Sequence, residues 1–182
     1  MRLFIAIELP QGVKAALSEV ATQLAQSGVQ ASWARPETLH ITLKFLGEVA
    51  DNKLDDIRAA LDRVAAGHTP FQAQAKEFGF FPPRGRPRVF FVGSDQPQRL
   101  QALARDLEQE LAPLGFEIEG GFKAHITLAR FKGGKNLAVF RDQLAELRVK
   151  ESFPVAVLVL FRSTLTPRGA IHEEVYRTNL TV

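Results

Sequence analysis

Two segments of this chain repeat the same four residues, His40-Ile41-Thr42-Leu43 and His125-Ile126-Thr127-Leu128, 85 residues apart. Other landmarks recur at nearly the same spacing. Arg2-Leu3-Phe4-Ile5-Ala6 is answered 86 residues later by Arg88-Val89-Phe90-Phe91-Val92, and Pro10-Gln11 is answered 87 residues later by Pro97-Gln98. Three landmarks at almost one offset indicate a duplicated unit. Two such halves, packed about an approximate two-fold axis, would set the two histidine strands side by side.

The elements around these landmarks follow from hydrophobic period. Val13, Leu17, Val20 and Leu24 step by three or four, as do Leu54, Ile57, Leu61 and Val64. So do Leu100, Leu103, Leu107 and Leu111, and Leu137, Phe140, Leu144 and Leu147, which predicts four amphipathic helices with core-facing stripes. Strands are expected at Leu3–Glu8, Ile41–Leu46, Phe71–Phe81, Arg88–Val92, Ile126–Phe131, Pro154–Arg162 and Glu174–Val182, all rich in β-branched and aromatic residues. Pro82-Pro83 and Gly133-Gly134 punctuate loops. Each half therefore reads strand, helix, histidine strand, helix, strand.

A chain of 182 residues, 46% apolar, suits one domain of two packed lobes, with pseudo-repeats at about 1–85 and 86–182. The formal charge of +3 means that any polyanion binding comes from local clusters of charge. There are no cysteines, which excludes disulfides, thiolate nucleophiles and thiolate metal sites and fits a reducing compartment. The apolar run Leu3–Ile7 is too short for a secretory segment, and Phe153–Phe161 falls far short of a membrane span. A cytoplasmic protein is expected, with no membrane partner.

In a strand, residues i and i+2 share a face. His40 and Thr42 thus point one way and Ile41 and Leu43 the other, and the second copy repeats the pattern. Core packing gives no reason to use histidine and threonine on matching faces twice. Imidazoles titrate near neutrality, so one can accept a proton while the other donates one. Threonine hydroxyls can hydrogen-bond the nonbridging oxygens of a phosphate. Together these suffice for in-line displacement at phosphorus, with residue chemistry alone leaving open which histidine is acid and which is base.

A metal site is the rival. The four histidines are His40, His68, His125 and His172, and no HExxH, HxH or His–Asp ligand spacing occurs, so neither metal nor cofactor is expected. His68, in Gly67-His68-Thr69-Pro70, reads as a solvated turn residue. His172 precedes the last expected strand; an exposed position is favoured over one reaching the cleft. Strand parity adds Lys44 to the groove face, near phosphate or as a solvated lysine at a strand end. The same parity puts Phe131 on the His125 face, as a base-stacking ring or an ordinary core residue. Arg84, Arg86 and Arg88 form a basic loop suited to phosphate-backbone contacts or simply to solvent, and Trp33 reads as core.

The segments His40-Ile41-Thr42-Leu43-Lys44-Phe45-Leu46-Gly47 and His125-Ile126-Thr127-Leu128-Ala129-Arg130 resemble the paired HxTx motifs of the two-histidine (2H) phosphoesterase superfamily. The opening Met1–Ile7 and the lead-in Arg35-Pro36-Glu37-Thr38-Leu39 resemble its RNA 2′,3′-cyclic phosphodiesterase branch, also named 2′-5′ RNA ligases. One departure is Ala124, where that branch commonly has proline before the second histidine. The resemblance implies an α+β, bilobal fold with two antiparallel sheets around a central groove, helices outside, and both His–Thr pairs on the groove floor. It implies that His125 is the proton acceptor and His40 the proton donor as water opens the cyclic phosphate to a 2′-phosphate. It also makes Arg130 a substrate-side residue. Strict alternation instead puts Arg130 with Ile126 and Leu128, and a bulge would reconcile the two.

Run backwards, the same chemistry joins a 5′-hydroxyl to a cyclic end without ATP, and no Walker-type loop is present. The implied partner is RNA with 2′,3′-cyclic phosphate ends, tRNA fragments among them, acted on by a monomer. Two alternatives stand beside it. One is a relative acting on a small cyclic nucleotide or a 2′-5′ oligoadenylate. The other is a non-catalytic RNA-binding module, which would have no use for two paired imidazoles.

Overall fold

A computed structural model describes all 182 residues, and its thirteen helices and strands follow the expected series closely. In chain order they are β1 (Arg2–Glu8), α1 (Gln11–Ala25), β2 (Ala31–Trp33), β3 (His40–Glu48), α2 (Leu54–Ala66), β4 (Phe71–Phe81) and β5 (Val89–Ser94). Then come α3 (Pro97–Leu111), β6 (Ile126–Phe131), α4 (Leu137–Ala145), β7 (Lys150–Val155), β8 (Val157–Thr166) and β9 (Gly169–Asn179). The leucine stripes do what their period predicts: Leu100, Leu103, Leu107 and Leu111 of α3 are all fully buried. No helix is long and apolar enough to cross a membrane.

The strands form two antiparallel sheets, β3-β1-β8-β9 and β2-β6-β5-β4-β7, the α+β architecture expected. The halves of the chain are interlaced between them. β4, from the first half, pairs with β5, and β8, from the second half, pairs with β1. The helices cross as well: α1 packs against β6, β7 and α4, while α3 packs against β3 and α2. One contiguous apolar core, running in sequence from Leu3 to Leu180, is the result.

Two strand assignments need correction. Pro154–Arg162 is not one strand. The chain leaves the five-stranded sheet at Val155 and enters the four-stranded sheet at Val157. The carbonyl of Ala156, freed between them, accepts the Leu180 N–H at 2.8 Å. The last strand begins at Gly169 instead of Glu174, because β8 and β9 meet in a tight turn at which Gly169 has φ +110°, a conformation side chains resist. The structure also adds β2, whose three residues are too few to give a periodic signal.

The two histidine strands share one irregularity. Thr42 lies opposite Ala6 and Lys44 opposite Ile5, so Leu43 is an extra residue; Thr127 lies opposite Phe91 and Ala129 opposite Phe90, so Leu128 is extra. A β-bulge at the same motif position in both strands reverses the alternation beyond it. Leu43 and Lys44 are therefore buried consecutively, as are Leu128 and Ala129.

For Lys44 this overturns the groove placement that unbroken parity implied. Its ammonium points behind the sheet, 5% exposed, and donates to the Glu117 carbonyl at 2.7 Å and to Glu108 Oε1 at 3.2 Å. Glu108 in turn accepts the backbone N–H groups of Glu119 and Gly120. Burial would raise the Glu108 carboxyl, but the Glu119 amide, Lys44 and the Gly120 amide together hold it below the usual range. The pair thus fastens the segment that leads into His125 to the strand that carries His40.

Removing one partner of a buried pair strands the other charge. Lys44→Met is expected to lower unfolding free energy by about 3 kcal/mol in urea titrations, the size typical of such a loss. A variant as stable as the parent but inactive would return Lys44 to the groove.

Candidate active site

The two imidazoles enter the groove from equivalent places. His40 opens β3, His125 immediately precedes β6, and these strands approach one another across the groove. Each ring rests on aromatic side chains. His40 stacks on Phe4 at 4.9 Å between ring centroids and meets His172 edge-on at 5.3 Å. His125 stands perpendicular to Phe81 at 4.9 Å and near Phe91 at 5.5 Å. Phe91 lies so close over β4 that a Cβ on Gly79 would come within 2.4 Å of its ring, so only glycine leaves space for this bed.

Hydrogen bonds distinguish the ring nitrogens. His125 Nδ1–H donates to the Lys123 carbonyl at 2.7 Å, two residues upstream, leaving Nε2 free. His40 Nε2 lies 2.8 Å from Thr42 Oγ1, and the Thr38 backbone, two residues upstream, favours a proton on the ring. In the neutral ring this nitrogen is the acceptor; protonated, it donates. Thr42 and Thr127, on either side of the groove, are both partly accessible.

Both rings favour the neutral form in the free protein. Burial first, then the neighbouring His172, push His40 from 6.5 down to about 4, with Lys14 and His125 adding to the effect and the Thr38 backbone opposing it. His125 is lowered by burial and by the cations Arg130 and Lys123, against the Lys123 carbonyl bond. The charge of His125 is thus felt at His40 across the groove.

The bulges sort the remaining candidates. Beyond Leu128 the alternation reverses, so Arg130 is brought to the exposed His125 side, where its charge acts on that imidazole. The same reversal turns Phe131 off that face, a correction to its expected place above the groove floor. Its ring packs on Phe140 at 5.4 Å and Phe80 at 6.2 Å. In β3 the reversal exposes Phe45, 67% accessible at the motif position that Arg130 holds in the second copy. Phe45 escapes a reading by alternation because its exposure depends on the bulge.

His172 lies within β9, opposite Ser163, and its ring packs on Phe4 at 4.8 Å; the exposed position favoured from sequence is wrong. His68 is not solvated either, since its Nε2 lies 2.7 Å from Asp106 on α3. Trp33 leans on Phe140 as a partly buried core residue. Arg86 and Arg88, though not Arg84, line a cavity of about 850 Å³ at the end of β6 together with Arg130 and Phe131. No three histidine, aspartate or glutamate side chains converge as a ligand set for a metal ion.

This arrangement has relatives. The family model described as LigT-like phosphoesterase matches the chain twice, over residues 7–91 and 92–172. An RNA 2′,3′-cyclic phosphodiesterase of Thermotoga maritima is 38% identical over 97% of this chain and 94% of its own length. One of Methanothermobacter thermautotrophicus is 33% identical over 97% and 98%. A crystal structure from Thermus thermophilus superposes with a TM-score of 0.82 at 34% identity, covering 99% of this chain and 98% of that one. Escherichia coli LigT complexed with 3′-AMP gives 0.74 at 26%, covering 100% and 98%. With two matches of one family model spanning most of its length and a fold shared with solved members, the chain belongs to the LigT-like phosphoesterase family, within the 2H phosphoesterases.

Proposed function

We propose that this protein hydrolyses 2′,3′-cyclic phosphodiester ends of RNA to 2′-phosphomonoesters, with His40 and His125 as its acid–base pair and no metal ion. The observation that carries the proposal is the matched pair of imidazoles. Each opens or immediately precedes its HxTx strand and rests on an aromatic bed, His125 is held by the Lys123 carbonyl, and the charge of His125 is felt at His40. The activity for which the Thermotoga and Methanothermobacter relatives are named supports the substrate.

In this mechanism His125 Nε2 takes a proton from water as its oxygen bonds to phosphorus. The bond from phosphorus to the 3′-oxygen breaks on the opposite side, and His40 Nε2–H protonates that leaving oxygen. Thr42 and Thr127 hydroxyls bond the nonbridging oxygens as charge develops on them, with Arg130 adding positive potential. A 5′-hydroxyl attacking in place of water, with the same P–O3′ bond breaking, gives ligation through a 2′-5′ linkage without ATP. Every group invoked comes from one chain, which suits a monomer acting on RNA fragments, cleaved tRNA among them.

His40 must carry a proton to act as donor, yet its surroundings disfavour that proton in the free protein. The substrate supplies the remedy, because a phosphate anion beside the ring favours imidazolium. The pH dependence follows. Since kcat/KM reports the free enzyme, its bell should centre below pH 6.5, between about 4 for His40 and the lowered value of His125. The kcat bell, which reports the bound complex, should lie at higher pH. A rate that climbs to a plateau with no descending limb would rule out a general acid.

Substitution should separate the roles. His40→Ala and His125→Ala are each expected to abolish turnover of a cyclic-ended RNA, and the double variant to be little worse than either, since the proton transfers act as a unit. Thr42→Val and Thr127→Val should each slow kcat roughly ten- to a thousandfold, the range for losing one donor to a developing oxyanion. Substantial activity in His125→Ala would defeat the two-histidine mechanism.

Chelation and product identity test the chemistry independently. Full activity is expected in excess EDTA, with the 2′-phosphate as sole product. Activity lost to EDTA and restored by zinc or manganese would replace the mechanism with a metal-activated water. A 3′-phosphate product would keep the acid–base pair and reverse the substrate's orientation.

A further inference from the structure

Where β6 ends, four cations converge on one cavity. Arg86 and Arg88 come from the loop between β4 and β5, Arg130 from the end of β6, and Lys132 from just beyond it, with Pro82 and Pro87 forming part of the wall. No acidic residue lines this space. None of the four cations forms an ion pair, although arginines elsewhere on the surface, such as Arg63, Arg162 and Arg177, pair with carboxylates. Like charges held together without counterions repel, so a cluster of this kind is balanced by an anion from outside.

The frame holding these cations is firmly tied. The Arg88 N–H donates to the Phe81 carbonyl at 2.7 Å, the Phe131 N–H to the Arg88 carbonyl at 2.8 Å, and the Lys132 N–H to the Gln30 carbonyl at 2.8 Å. The Arg86 guanidinium lies beside the Gly133-Gly134 segment. Three separate stretches of chain are thereby bound into one basic surface.

This surface is continuous with the acid–base site. Arg130 lines the cavity and also acts electrostatically on His125. His125 and Lys132 are separated by roughly 20 Å of strand at about 3.3 Å per residue, more than the phosphate of a bound mononucleotide spans. We propose that the cavity bounded by Arg86, Arg88, Arg130 and Lys132 is a second phosphate subsite, binding internucleotide phosphates of the RNA strand whose cyclic end lies between His40 and His125. The inference rests on the function proposed above and specifies its substrate class: cyclic-ended oligonucleotides over cyclic mononucleotides. Single-strand contacts of this type add affinity without reading sequence.

The test compares uridine 2′,3′-cyclic phosphate with a cyclic-ended pentauridylate, using the parent and the Arg86→Gln/Lys132→Gln variant, with circular dichroism to check folding. The parent should favour the pentamer in kcat/KM by at least about tenfold. The variant should lose most of that preference, because the mononucleotide is too short to reach the two altered side chains. Binding of a fluorescent, non-cleavable pentauridylate should weaken in parallel, and its log–log salt slope should flatten by roughly 1.4 for two lost single-strand contacts. Equal kcat/KM for the two substrates in the parent, or equal loss on both in the variant, would overturn the subsite. If neither substrate is hydrolysed but pentamer binding still falls in the variant, the subsite stands and the proposed reaction falls; unchanged binding overturns the subsite whether or not hydrolysis occurs.

Discussion

One bulge at a shared position of the two histidine strands governs what the groove contains. Before Leu43 and Leu128 the alternation sends histidine and threonine inward to the groove; beyond them it reverses. In the first copy the reversal puts Lys44 into the core and Phe45 into solvent. In the second it buries Ala129, brings Arg130 toward His125 and sends Phe131 to the aromatic cluster around Phe140. A regular strand would have put a different set of side chains beside the imidazoles. The bulge therefore acts as a selector, and the two copies use it to present an aromatic ring on one side and a guanidinium on the other.

The aromatic beds beneath the imidazoles have opposing effects. They immobilise the rings and exclude water, which strengthens any interaction with a bound phosphate, but they also oppose protonation. Histidine rings so placed favour the neutral form. His172 deepens this state for His40, its ring sharing the same phenylalanine neighbour. Lys44 and Glu108 work from behind the sheet, where their contact ties the approach to His125 to the strand of His40. The geometry of the two imidazoles depends on both devices.

Much of this is legible in the residues. The helical stripes, most strands and the paired His–Thr faces follow from periods of 3.6 and 2 that the sequence displays openly. What stays hidden are events that break a period. Leu43 and Leu128 look like ordinary inward residues, and only pairing with β1 and β5 reveals that each is surplus. Alternation misplaces Lys44 and Phe131 for that single reason, while the conflict over Arg130 is a usable sign of it. Ala156 gives no warning that an apolar run divides between two sheets, because the residues on both sides of the break are apolar. His172 and His68 acquire partners through tertiary contacts that no local pattern encodes.

The interlacing of β4 and β8 bears on how such a molecule could arise. A half-length chain carrying one histidine strand would have an unpaired sheet edge where the other half's β4 or β8 belongs, and a helix displaced onto a lobe it did not possess. Two identical copies of that short chain could satisfy each other by trading strand and helix, giving a symmetric dimer with one histidine from each subunit in a shared groove. Fusion of the two genes would then preserve an assembly that already worked and free the copies to diverge. Phe45 at the motif position equivalent to Arg130, and buried Lys44 at that equivalent to Ala129, are the kinds of asymmetry that a homodimer is forbidden and a single polypeptide is not.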